Sequence, residues 1–231
     1  MKWTSFGRRK LFAASAIVLA SLALVCGILA PRGAMAAYTE QVLYRFCSQA
    51  NCADGKNPAA AVIMDGAGNL YGTTVGGGAN NAGVVFKLSP TVAGWSYKVL
   101  YSFCSKALCA DGGGPNAGLI MDSAGNLYGT TTGGGPNQST NGVVFKLAPN
   151  GSSWTETVIY NFCSQTNCAD GARPYASLIM DAAGNLYGTT AAGRNGCYIT
   201  TNGCGIVFEL TPSGSAWTAK VLYKFCLQSG N

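Results

Sequence analysis

The stretch "DGAGNLYGTTVGGG", residues 65–78, follows the apolar run "AAVIM", where a phosphate-cradling loop would follow its strand. Two further copies decide its reading: "DSAGNLYGTTTGGG" at 122–135 and "DAAGNLYGTTAAGR" at 181–194. What survives in all three is Asp-x-Ala-Gly-Asn-Leu-Tyr-Gly-Thr-Thr. A dinucleotide loop reads G-x-G-x-x-G and opens a helix, whereas Gly66 and Gly68 are followed by Gly72, one place too late. The kept Gly68, Gly125 and Gly184 suit a tight turn with positive φ, and Leu-Tyr begins a strand. The stretch is a hairpin, and its recurrence marks a repeat.

Working outward, Tyr44, Tyr101, Tyr160 and Tyr223 are equivalent positions. Each unit carries, in order, a Cys pair, "ADG", Pro, an apolar run ending in Met-Asp, the hairpin motif, "VVFKL" or "IVFEL", Pro, Trp, and "VLY" or "VIY" before x-Phe-Cys. The units span about 47–103, 104–162 and 163–225, within a repeat domain at 37–231. Turn residues cut each unit into four short strands; in the second these are "AGLIMD", "NLYGTTT", "GVVFKLA" and "WTETVIYNF". Alternation in the last places Val158, Tyr160 and Phe162 on one face and Ile159 and Asn161 on the other. One such sheet cannot bury both faces alone, and stacking copies face to face does so.

The run D-x-x-G-N-L-Y-G-T-T, a Gly-rich gap and G-V-V-F-K-L-x-P resembles the GloVer tandem repeat of secreted or surface-anchored bacterial proteins. Its Asp-x-x-Gly-Asn-Leu-Tyr hairpin is more loosely similar to those of other β-propeller repeats. The resemblance implies an extracytoplasmic location, a propeller-like array and variable anchoring, and brings no established reaction. The expected fold is all-β: a propeller-like array of three four-stranded blades plus one extra strand at 38–46, open or truncated, after an N-terminal signal helix. Propellers close with four to eight blades; association of two three-blade arcs as a homodimer is one way to close, truncation of a longer array the other reading. Cys226 opens a further Cys-x4-Cys that Asn231, the last residue, does not complete.

Residues 1–36 read as an export signal: Lys2, Arg8, Arg9 and Lys10, the apolar "LFAASAIVLASLALVCGILA", and the A-x-A site Ala34-Met35-Ala36. The apolar segment is long enough that an uncleaved anchor is the alternative. The net charge of +6 mostly belongs to this segment; beyond it ten basic residues face nine acidic ones. No basic stripe remains for nucleic acid, and the only expected membrane contact is the N-terminal segment itself. With 10% charged residues and 32 glycines, the rest has a turn-rich β composition.

Four Cys pairs read as local disulfides: Cys47 with Cys52, Cys104 with Cys109, Cys163 with Cys168, and Cys197 with Cys204. Zinc favours tighter spacing, often with histidine, and the chain has no His. Cys226 is left odd. Asp65, Asp122 and Asp181 open the hairpin turns as side-chain caps. Asp54, Asp111 and Asp170 of "ADG" lie beside the Cys pairs, either as turn residues or as a rim that takes sugar hydroxyls or a cation. The insertion at 191–205, with Arg194 and Tyr198, breaks the repeat and is either the other candidate ligand contact or decoration of a surface loop, and Arg173 and Tyr175 are also peculiar to that unit. Tyr71, Tyr128 and Tyr187, with Phe86, Phe145 and Phe208, read as packing between blades, with stacking on sugar rings as the alternative. Trp95, Trp154 and Trp217, which follow turns, read as clamps on the start of the outer strand. Without histidine there is no Ser-His-Asp or Cys-His arrangement, and no cofactor is indicated. The expected function is an exported, non-enzymatic interaction or structural module with a protein or glycan partner. The alternative is a carbohydrate-binding protein or carbohydrate-active enzyme using one rim.

Overall fold

The computed structural model describes residues 39–135, 141–193 and 205–225, and the chain from Val42 onward forms one compact unit. Among the described residues the elements are strands and three one-turn 3-10 segments. β1 (Ile63–Met64), β2 (Leu70–Thr74), β3 (Val84–Thr91) and β4 (Gly94–Ser102) form one antiparallel sheet in chain order. β5 (Ile120–Met121), β6 (Leu127–Thr130), β7 (Val143–Asn150) and β8 (Ser153–Asn161) form the second. β9 (Ile179–Met180), β10 (Leu186–Thr189), β11 (Ile206–Ser213) and β12 (Ala216–Lys224) form the third. The signal segment 1–36 lies outside the described residues.

The repeat motif is built by its own hydrogen bonds. Asp65 Oδ1 accepts from the Ala67 and Asn69 amides and Oδ2 from Asn69 Nδ2 and the Tyr71 hydroxyl, all at 2.7–2.9 Å. Gly68 turns the chain at φ 80°, a conformation open to glycine. Gly72 is required for closeness instead: a Cβ there would lie 2.6 Å from the Phe86 ring. The two threonines divide the work. Thr74 Oγ1 stays within its unit, donating to the Gly76 carbonyl and accepting from the Val84 amide. Thr73 Oγ1 reaches the next unit, donating to the Ala117 carbonyl at 3.0 Å, and Thr130 reaches the Pro174 carbonyl at 3.4 Å.

Consecutive sheets pack through opposite faces, here named forward and back. Tyr71, Val85 and Leu100 on the forward face of the first sheet, with Phe103, share a cluster with Leu119, Leu127, Phe145 and Leu147 on the back of the second. Tyr128, Val144, Ile159 and Phe162 meet Leu178, Leu186, Phe208 and Leu210 of the third in the same way. Each buried leucine or phenylalanine contributes about 1.5–3 kcal/mol, so these junctions carry the stability that an isolated sheet lacks. Tyr71 meets Trp154 edge-on at 6.3 Å, and Tyr128 meets Trp217 at 6.4 Å.

Two expectations are corrected. The simple alternation of β8 fails because the register shifts between Val144 and Phe145, which pair with Tyr160 and Val158. This bulge leaves Ile159 as the extra residue and sends it to the forward cluster with Tyr160 and Phe162. The same shift recurs between Val85 and Phe86 and between Val207 and Phe208. The extra strand at 38–46 is also not formed, since residues 39–45 carry no strand. Among the described residues no strand pairs with that segment, and its side chains hold it instead. Leu43, Tyr44 and Phe46 pack on the back of the first sheet, where Phe46 meets Phe86 at 5.0 Å much as Phe103 meets Phe145.

Candidate functional site

Ahead of each sheet, the chain passes through a loop that begins with a disulfide: Cys47–Cys52, Cys104–Cys109 and Cys163–Cys168 are formed. The fourth expected disulfide joins Cys197 to Cys204. Both Cys197 and Cys204 lie outside the described residues, as does Cys226, so the structure bears out three of the four expected pairs and leaves this one aside. Each ring encloses a 3-10 turn and leads to Asp54, Asp111 or Asp170, all three buried. Asp111 Oδ2 accepts from the Tyr101 hydroxyl at 2.7 Å and from the Ser105 amide and hydroxyl at 2.9 Å, while Oδ1 accepts from the Lys106 amide at 3.2 Å. Asp54 and Asp170 repeat this with Tyr44, Ser48 and Gln49 and with Tyr160, Ser164 and Gln165. Burial pushes the Asp54 carboxyl up, but these donors outweigh it and hold it at about 2; Asp111 is lowered by the same balance. The structure thus turns the rim carboxylates inward, each with four donors. A ligand there would have to displace bonds that tie the loop to the segment before it, β4 for Asp111 and β8 for Asp170.

Asp65, Asp122 and Asp181 occupy the hairpin turns as their pattern suggested. Burial raises Asp65, and the Asn69, Tyr71 and Ala67 donors bring it to about 2. The partner tyrosines are pushed up, Tyr71 and Tyr128 to about 12, by burial and by the carboxylate that each contacts. Arg194 and Tyr198 lie outside the described residues; Tyr175 is exposed.

The feature that the sequence did not disclose is an open groove of about 1020 Å³ between the second and third sheets. Its walls are Met121, Asp122, Tyr128, Lys146 and Thr157 on one side and Met180, Asp181, Ser215 and Trp217 on the other. Lys146 Nζ stands 5.7 Å from the centre of the Tyr128 ring, a cation–π geometry. The first junction differs on the outer strand, among other positions. There Lys98 Nζ spans the gap and donates to the Ser152 carbonyl at 2.7 Å. Thr157 holds the place of Lys98 in β8 and is too short for that reach. The Lys-to-Thr difference was readable in the strands "WSYKVLY" and "WTETVIY", but only the packing shows that this residue spans a junction.

A second break in the pattern lies at the disulfide loop of the first junction. Glu156 stands where the first sheet has Tyr97 and the third Ala219. Its side chain is 1% exposed, Oε2 accepts from Lys106 Nζ at 2.7 Å, and Oε1 has no partner. Burial raises its carboxyl above the usual range; Lys106 opposes the shift and Asp111 adds to it.

The three disulfides fit an oxidising, extracytoplasmic environment. Among the described residues no helix is long and apolar enough to cross a membrane. No curated protein matches the chain. The Gloeobacter/Verrucomicrobia repeat matches residues 29–231, which takes in all three sheets and their disulfide loops, and the chain belongs to that repeat family.

Proposed function

We propose that the chain is exported and works as a non-enzymatic binding scaffold, a propeller-like stack of blades whose contact surface is the groove between the second and third sheets. The groove carries this reading: it lies where the repeat loses the lysine that spans the equivalent junction. The non-enzymatic part is supported by the commitments of the repeated carboxylates. Asp122 and Asp181, the two acids in the groove, each accept from a turn amide, an asparagine and a tyrosine of their own unit. Paired-carboxylate hydrolysis needs two acids converging on one bond, about 5–9 Å apart and free to exchange protons.

A glycan is the partner that the lining favours over a protein. Trp217 is partly exposed beside Met180 and Ser215, and an aromatic face with flanking polar groups suits the apolar face of a sugar ring. The test is a glycan array probed with the purified chain and with Trp217→Ala. Signal on neutral glycans that the variant loses supports the reading; equal binding by both proteins, or signal on no glycan, counts against sugar recognition in the groove.

A further inference from the structure

Each internal junction joins one forward face to one back face, and the described residues leave one more of each open. On the third sheet the forward positions that are covered in the first two are open. Ile179 is 68% exposed and Leu222 43%, and the terminal pair Tyr223 and Phe225 is exposed at 57% and 45%. Their counterparts are buried, as Leu100, Phe103 and Phe162 are, or half-buried, as Ile63, Ile120, Tyr101 and Ile159 are. Thr189, the counterpart of the junction-spanning Thr73 and Thr130, is exposed as well. On the first sheet the back position Val62 is 46% exposed, whereas Leu119 and Leu178 in the same place are 2%. Residues 43–46 cover only the Phe86 side of that face.

The two open faces are halves of the junction that the chain already builds twice. Leu100 and Leu119 share one cluster, so Leu222 and Val62 are its unmatched halves. Tyr71–Trp154 and Tyr128–Trp217 close the internal junctions, and among the described residues Tyr187 and Trp95 make no such pair. We propose that the forward face of the third sheet docks on the back face of the first sheet in a second copy of this chain. The contact is head-to-tail, between different surfaces of identical chains, and it extends the internal junction across two molecules.

The test is the solution mass of the full chain, purified without reductant across a dilution series, with Cys226→Ser so that no intermolecular disulfide contributes. The expected result is a mass of two or more chains that falls to one on dilution. Leu222→Glu and Val62→Glu, both at exposed positions, weaken association by at least about tenfold, since each puts an unpaired charge into the contact. Val92→Glu, on the fully exposed β3–β4 turn, leaves it unchanged. A single-chain mass at every concentration overturns the proposal, as does an assembly that both Leu222→Glu and Val62→Glu leave intact.

Discussion

Glu156 is the residue at which the repeat departs from its own chemistry. In the first sheet the equivalent Tyr97 stacks on Tyr44 with ring centres 4.0 Å apart and donates to the Asp54 carbonyl. Glu156 instead places a carboxylate among Tyr101, Asp111 and Lys106, with one oxygen unpaired. Lys106 replaces the glutamine found in the other two loops, Gln49 and Gln165, so the two exceptions come as a pair. A buried ion pair is often no more stabilising than well-packed apolar groups, and an aromatic pair adds about 0.5–1.5 kcal/mol beyond its area. The double variant Lys106→Gln with Glu156→Tyr is therefore expected to raise stability by about 1 kcal/mol. Thermal melting reads this, and a lowered midpoint would show that the pair is better fitted than its orphan oxygen implies.

Among the elements, the spanning side chain on the outer strand decides whether a junction is bridged or open. Thr157→Lys is expected to bridge the second junction as Lys98 does the first, shielding Trp217; Lys98→Thr is expected to uncover Trp154. Acrylamide quenching of tryptophan fluorescence should fall in the former and rise in the latter. Stability should barely change, because a solvent-exposed bond of this kind contributes about 0–1 kcal/mol. Unchanged quenching in both variants would contradict the assignment. Strand number and order were legible in the sequence because turn glycines and β-rich runs recur in register, as at Gly68, Gly125 and Gly184. The bulge at Ile159 was not, since nothing in "TVIYNF" distinguishes an extra residue from an alternating one until β7 fixes the register. Strand 38–46 misled for a related reason: its "VLYRF" has strand chemistry, but a strand needs a neighbour.

Across the whole molecule, the same carboxylates recur in each unit, at the disulfide loop and in the hairpin turn, which makes stability depend on acid in a defined direction. Asp54 and Asp65 are held at about 2 against an ordinary value of 3.8, and Asp111 and Asp122 are also lowered. A depressed carboxyl contributes stability that is complete above its unfolded value and is lost as pH falls through the folded one. Glu156, raised, works in the opposite sense and is outnumbered. The melting midpoint should therefore fall steadily between about pH 4 and about pH 2; a midpoint that rises over that interval would contradict these assignments. The aspartates of "ADG" were legible as turn residues or rim ligands alike, because sequence does not show which way a side chain points. The structure turns Asp111 into the loop between the first and second sheets, under Tyr101. The central claim, that the repeated acids build the array, is tested most directly by the thermal melt of Asp111→Asn. Weakening four hydrogen bonds at a buried carboxylate should cost on the order of 2 kcal/mol and lower the midpoint by roughly 4–8 °C. A melt that matches the wild type would contradict the claim and return Asp111 to the rim as a residue kept for a ligand.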